Sequence, residues 1–175
     1  MDDRRSNPRR LAAGPLALLI ALICGGCGYS IRPPYRSDIR TVYIPIIKST
    51  SFRRDINIEL TNKLRVEIQN RTPFKVVGSP EGADSTLEGT ITMVDKNALV
   101  ESPNNLPRQI QGTIIVQLKW IDNRLSVEQK RDIAPTVVAE SAPFYPELGE
   151  TAQLGFDKAI DKMVRQIVGM MEEPW

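Results

Sequence analysis

The runs Leu87-Glu88-Gly89-Thr90-Ile91-Thr92-Met93 and Ile110-Gln111-Gly112-Thr113-Ile114-Ile115-Val116-Gln117-Leu118-Lys119-Trp120 decide the fold. In both, apolar or small residues alternate with polar ones, the period-two signature of a half-buried strand. The pattern extends over Leu87–Val100 and Gln109–Asp122, on either side of the turn-forming cluster Ser102-Pro103-Asn104-Asn105-Leu106-Pro107. It predicts one long antiparallel hairpin. If Gly89 faces Trp120, Ile91 faces Leu118 and Met93 faces Val116, a glycine makes room for an indole. A slip of one residue would turn one strand inside out. The opposite face then holds Val94, Ile115 and Ile121 among Thr90, Thr92, Gln117 and Lys119. Such a face is either a solvated surface or one that docks a partner, with Val94, Ile115 and Ile121 as the candidate contacts.

Upstream, Thr41-Val42-Tyr43-Ile44-Pro45-Ile46-Ile47 reads as a strand, with Pro45 favouring an edge position or a bulge. From about Phe52 to Asn70, Ile56, Leu60, Leu64 and Ile68 recur every four residues, the core stripe of an amphipathic helix. Its charges, Arg53, Asp55, Glu59, Lys63 and Glu67, read as a solvated face. Pro73 stops this helix, and Phe74-Lys75-Val76-Val77 is a short strand. Downstream, Arg124–Asp132 is charged and turn-like, and Thr136–Ala142 is a final strand. A second helix opens at Pro146, with a stripe of Ala152, Phe156, Ala159, Ile160, Met163, Ile167, Met170 and Met171. The expected architecture is α+β: a two-layer sandwich, a mainly antiparallel sheet of about four strands with two helices packed on one face. Burial of Trp120 is its sharpest consequence.

At the N-terminus, Arg4, Arg5, Arg9 and Arg10 precede an apolar run from Leu11 to Ile23, which ends in Cys24-Gly25-Gly26-Cys27. This is the layout of an export signal, and the run is shorter than the roughly 20 residues of a membrane-spanning helix. Gly25-Gly26-Cys27 resembles the end of a lipobox, although Cys24 stands where leucine is usual. Leu22 and Ile23 are too bulky for the cleavage pocket, which disfavours Cys24 as the acylated residue. Residues 1–26 are therefore expected to be a removed lipoprotein signal, residues 27–40 a lipidated N-terminus and tether, and residues 41–175 a single domain. Gly28 after Cys27 is not the aspartate of inner-membrane retention, so the expected address is the outer membrane, periplasmic face.

Composition narrows the chemistry. Residues 1–26 carry four arginines against Asp2 and Asp3, so they account for the formal charge of +2 and the remainder is balanced. That argues against nucleic acid as a partner. The chain has no histidine, which removes histidine-based triads and metal sites. Cys24 and Cys27 form a CxxC pair, but they lack a βαβ context and further ligands, and cleavage would separate them. No Walker or dinucleotide fingerprint is present, no nucleophile stands beside a base, and no metal or cofactor is expected. The reading is of a non-enzymatic binding protein. Lys96 and Arg108, at the two ends of the hairpin turn, are the candidate ligand contacts, because Lys and Arg pair with phosphates or carboxylates.

Four stretches together resemble the LPS-assembly lipoprotein family, LptE. They are Cys27-Gly28-Tyr29; Val42-Tyr43-Ile44-Pro45 leading to Leu60 and Leu64; Ala83-Asp84-Ser85-Thr86-Leu87-Glu88-Gly89; and Tyr145-Pro146-Glu147-Leu148-Gly149-Glu150-Thr151. The resemblance covers nearly all of the mature chain and rests on the order of these motifs. It implies a protein that sits inside an outer-membrane β-barrel translocon (LptD-like), plugs it, assists its assembly and contacts lipopolysaccharide. Curli-secretion lipoproteins, peptidoglycan-synthase-activating lipoproteins and the N-terminal domain of TolB share a similar start. The alternative is therefore a periplasmic secretion-pore subunit or cell-wall-synthase activator. A small-ligand-binding lipoprotein is a third reading.

Overall fold

The computed structural model describes residues 35–51, 54–101, 107–131 and 133–172. The signal segment, Cys27 and the turn at 102–106 lie outside them. Strands β1 (Thr41–Tyr43), β2 (Lys48–Ser49), β3 (Lys75–Val77), β4 (Ser85–Glu101), β5 (Pro107–Asp122) and β6 (Thr136–Phe144) form one mixed sheet in the order β3-β1-β4-β5-β6. β2 also pairs with β4. Helix α1 (Arg54–Arg71) links β2 to β3, a short α2 (Val127–Arg131) links β5 to β6, and α3 (Ala152–Gly169) closes the chain. The α+β class holds, but the sheet has more strands than the four expected. Its β3-β1-β4 side is parallel, because the crossover through α1 returns the chain in the same direction.

The hairpin forms as the alternation predicts, in a different register. At its base Leu87 pairs with Trp120, Gly89 with Leu118 and Ile91 with Val116, two residues from the expected match. An even displacement keeps each side chain on its face, so Leu87, Ile91, Val116 and Leu118 are buried. Gly89 makes room for Leu118 and Ile47 rather than Trp120: a Cβ there would lie 3.0 Å from Leu118 Cδ2 and 3.2 Å from Ile47 Cγ1. Trp120 is half-buried and meets Phe74 edge-on, with ring centroids 5.9 Å apart.

An irregularity between Ile91 and Met93 adds one residue to β4 and swaps the faces of the residues beyond it. Met93 pairs with Ile115 on the open face and is 50% exposed. Val94 pairs with Ile114 and packs against the core. Met93 is thus not a core residue, and Val94 does not stand on the open face that the alternation alone predicts for it.

β1 lies inside the sheet, so Pro45 does not mark an edge. Instead Ile44–Ile47 leaves the ladder, and α1 takes over its backbone groups. Arg65 donates to the Ile44 carbonyl (Nε 3.2 Å, Nη2 2.5 Å). Asn57 Nδ2 donates to the Ile47 carbonyl at 3.0 Å, and Thr61 Oγ1 accepts from the Ile47 N–H at 3.0 Å. Buried backbone groups must find partners, and here a helix supplies what a neighbouring strand would.

Both long helices pack on one face of the sheet and against each other, α3 over β5 and β6. The core joins Ile56, Leu60, Leu64 and Ile68 to Phe156, Ile160, Met163 and Ile167. Pro146–Leu148 is a separate 3-10 turn ended by Gly149 at φ 78, and α3 begins only after Thr151, whose side chain accepts from Leu154 N–H. Gly155 is buried where α3 crosses β6, and an added Cβ would lie 2.5 Å from Phe144 Cδ1 and 3.1 Å from Cγ. Gly155→Ala would gain about 1 kcal/mol of helix propensity. Overpacking costs about 1–3 kcal/mol, so a net loss is expected. A urea midpoint at or above wild type would contradict that contact.

Candidate functional site

The face of the sheet opposite the helices is uncovered among the described residues. Pairing sets its rows: Val77–Tyr43–Thr86–Ile121, then Glu88–Lys119, Thr90–Gln117–Val137, Met93–Ile115–Ala139, Asp95–Thr113–Ser141 and Asn97–Gln111–Pro143. Two mainly apolar rows, at Ile121 and at Ile115, are each followed by two rows rich in polar side chains. Val137 is 58% exposed, while Tyr43, Ile115 and Ile121 are partly shielded by their neighbours. The structure therefore brings Ile115 and Ile121 onto this face and adds Tyr43, Met93 and Val137, while Val94 belongs to the other side. The composition matches a non-obligate interface, apolar with interspersed polar groups.

Beyond Thr92, whose carbonyl accepts from Thr50 Oγ1 at 3.3 Å, β4 has no partner strand on its outer side among the described residues, because β1 and β2 reach only Ser49 opposite Ile91. The strand runs on to Glu101 as an open edge that carries Leu99 and Val100 exposed. Lys96 lies on this extension and pairs with Gly112. Arg108 lies on the same side of the hairpin, roughly 13 Å along β5 at about 3.3 Å per residue. Arg108 Nε sits 3.4 Å from Glu147 Oε1, and its charge is partly spent there. The side chain of Lys96 makes no ion pair among the described residues.

The other end of the hairpin is pinned to the tether. Arg124 Nη2 contacts Asp38 Oδ2 at 2.6 Å and Asp122 Oδ2 at 2.7 Å, and Arg36 reaches Asp38 at 2.8 Å. Asp84 Oδ2 accepts from the Arg40 and Thr41 N–H groups at 2.9 Å, and Thr41 Oγ1 accepts from Asp84 N–H at 2.9 Å. Tyr35 stacks edge-on Phe74 and bridges Glu172. Residues 35–40 are thus fixed to the rest of the domain.

Hydrogen bonds from Arg36 and Arg124 hold the Asp38 carboxyl well below the usual carboxylate range. Hydrogen bonds from Arg124 lower the pKa of Asp122, and those from the backbone N–H groups of Arg40 and Thr41 lower that of Asp84. A lowered folded pKa gives stability that is complete above the ordinary value and lost as pH falls through the folded one. Thermal stability should therefore decline from about pH 4 downward, the ordinary Asp pKa being about 3.9. Without histidine, no unperturbed side chain titrates between about pH 5 and 8, so the curve should be flat there. Arg124→Gln should shallow the acid limb in thermal melts from pH 3 to 7. An unchanged limb would remove this cluster as its source.

Among the described residues no helix is long and apolar enough to cross a membrane, and no group of His, Cys, Asp or Glu is placed to hold a metal ion. Comparisons with solved structures agree on the fold. An uncharacterized lipoprotein B from Nitrosomonas europaea is 18% identical, with a TM-score of 0.51 over 81% of this chain and 88% of that one. A protein from Xanthomonas campestris is 10% identical, with a TM-score of 0.51 over 82% and 92%. The hypothetical protein CT253 of Chlamydia trachomatis is 8% identical, with a TM-score of 0.50 over 76% and 98%. No curated protein matches by sequence. The family model "LptE: Lipopolysaccharide-assembly" matches residues 39–171, from the clamp on the tether to the last buried residue after α3. The chain belongs to the LptE family of lipopolysaccharide-assembly proteins.

Proposed function

We propose that this protein is an outer-membrane lipoprotein, anchored through Cys27 and facing the periplasm, that fills the lumen of an LptD-like β-barrel translocon and assists lipopolysaccharide assembly. The observation that carries the reading is the sheet face left uncovered among the described residues, with apolar rows at Ile121 and Ile115 set between hydrogen-bonding rows. It offers a partner what an interface requires, without the wholly apolar surface that would aggregate a free subunit. Two or three acyl chains at Cys27 would anchor it stably and keep it near a membrane partner. Lys96 and Arg108 would meet the phosphates or carboxylates of lipopolysaccharide, with Arg108 exchanging Glu147 for the ligand. Affinity purification from mild detergent with mass spectrometry tests the assignment, and a large barrel should be recovered. A homo-oligomeric ring or a cell-wall synthase without a barrel would favour the alternative roles.

A further inference from the structure

A second cationic surface lies away from Lys96 and Arg108, between α3 and the edge strand β6. There, a pocket of about 300 Å³ is lined by Ala142, Pro143, Tyr145, Lys158, Asp161, Lys162 and Arg165. Two of its four charged residues are neutralised by partners. Lys158 Nζ pairs with Glu150 at 2.8 Å, and Asp161 pairs with Lys63 of α1 at 2.7 Å. Two cations are left over. Lys162 Nζ donates only to the neutral Ser141 carbonyl, at 3.0 Å. The Arg165 side chain makes no hydrogen bond or ion pair among the described residues. Three residues apart on one helix, they lie on the same face, separated by about 4.5 Å of rise.

We infer that Lys162 and Arg165, beside β6, form an anion site that takes a phosphate monoester, with Lys158 and Tyr145 at its rim. A monoester near neutral pH carries about −1.5 to −2 charges, which two uncompensated cations balance. The guanidinium of Arg165 matches two phosphate oxygens in a fork, and the ammonium of Lys162 adds a point charge. The pocket's volume equals roughly ten waters at about 30 Å³ each, enough for a partly hydrated phosphate group. The same chemistry is offered by the phosphorylated headgroup of a glycolipid and by free phosphate. The glycolipid source rests on the function proposed above, and the phosphate chemistry does not.

The test uses the full lipidated chain in mild detergent, titrated calorimetrically with lipid A, with dephosphorylated lipid A and with inorganic phosphate. Lipid A should bind more tightly than its dephosphorylated form. The double variant Lys162→Gln/Arg165→Gln should lose at least tenfold in lipid A affinity with an unchanged thermal midpoint. Unchanged affinity of the variant for both lipid A and inorganic phosphate would overturn the site. Inorganic phosphate binding that is variant-sensitive, with lipid A binding that is not or with equal binding of the two lipids by wild type, would overturn the glycolipid source. No barrel takes part in these titrations. A wild-type chain that recovers no barrel would thus sink the function proposed above and leave this result standing.

Discussion

Phe156→Ala is expected to destabilise the domain by about 3–5 kcal/mol, the usual cost of emptying a buried aromatic site. Against a total stability of about 5–15 kcal/mol, that puts the variant near the edge of folding. Phe156 is 1% exposed and lies in the second turn of α3. Its ring lies over Gly112 of β5, where a Cβ would sit 3.1 Å from Phe156 Cε1 and 3.2 Å from Cδ1. The glycine and the phenylalanine are one fitted pair: β5 gives up a side chain so that the helix can approach the sheet. Gly112→Val should also destabilise by the opposite route, overpacking. Equilibrium urea unfolding of both variants checks the pair. A loss below about 1 kcal/mol for Phe156→Ala, the scale of a minor core trim, would show that α3 does not dock there.

The sequence made the hairpin, both helix stripes and the two-layer arrangement legible, because each rests on a period that survives folding. Ile56, Leu60, Leu64 and Ile68 are all buried, as their four-residue spacing requires. What it hid were local departures from period. The expected register holds at the tip, where Val100 pairs with Gln109, and fails at the base, because irregularities between Ile91 and Met93 and between Ala98 and Val100 each displace it. A bulge has no signature in an alternation of apolar and polar residues. One helix signal did stand in plain view. Ser126-Val127-Glu128-Gln129 forms a reciprocal cap, in which Ser126 Oγ accepts from Gln129 N–H and Gln129 Oε1 accepts from Ser126 N–H.

The site was legible only in part. Ile115 and Ile121 were placed on the open face because their strand is regular. Val94 was misplaced because the bulge precedes it. Tyr43 and Val137 could not be assigned to that face before strand order was known. Arg65, Asn57 and Thr61 belong to a helix, yet they complete the backbone of Ile44–Ile47. Nothing in their own spacing announces that role. Lys162 and Arg165 became informative only once the ion pairs around them were accounted for, since a charge gains meaning from its missing counter-ion.

Ile115→Asp is expected to reduce barrel recovery at least tenfold while leaving the domain folded. Ile115 lies on β5 between Met93 of β4 and Ala139 of β6, on the uncovered face. Its neighbours in sequence, Ile114 and Val116, point the other way and are fully buried. In the free protein the new carboxylate would meet water, and the cost is confined to strand preference, about 1 kcal/mol or less. In a complex it would be stripped of water opposite an apolar or neutral surface. An unpaired charge desolvated in this way is strongly unfavourable. Hot-spot residues, which cluster near the centre of an interface, cost about 2 kcal/mol or more when altered, and about 1.4 kcal/mol is a factor of ten in affinity. Ile121→Asp, in a separate apolar row, should act in the same direction. Val94→Asp supplies the contrast, because Val94 packs against the core and its charge should lower the thermal midpoint first. Quantitative co-purification and thermal melts on the three variants separate the effects. Full barrel recovery with both Ile115→Asp and Ile121→Asp would show that the barrel docks elsewhere, and the open edge of β4 would then be the surface to test.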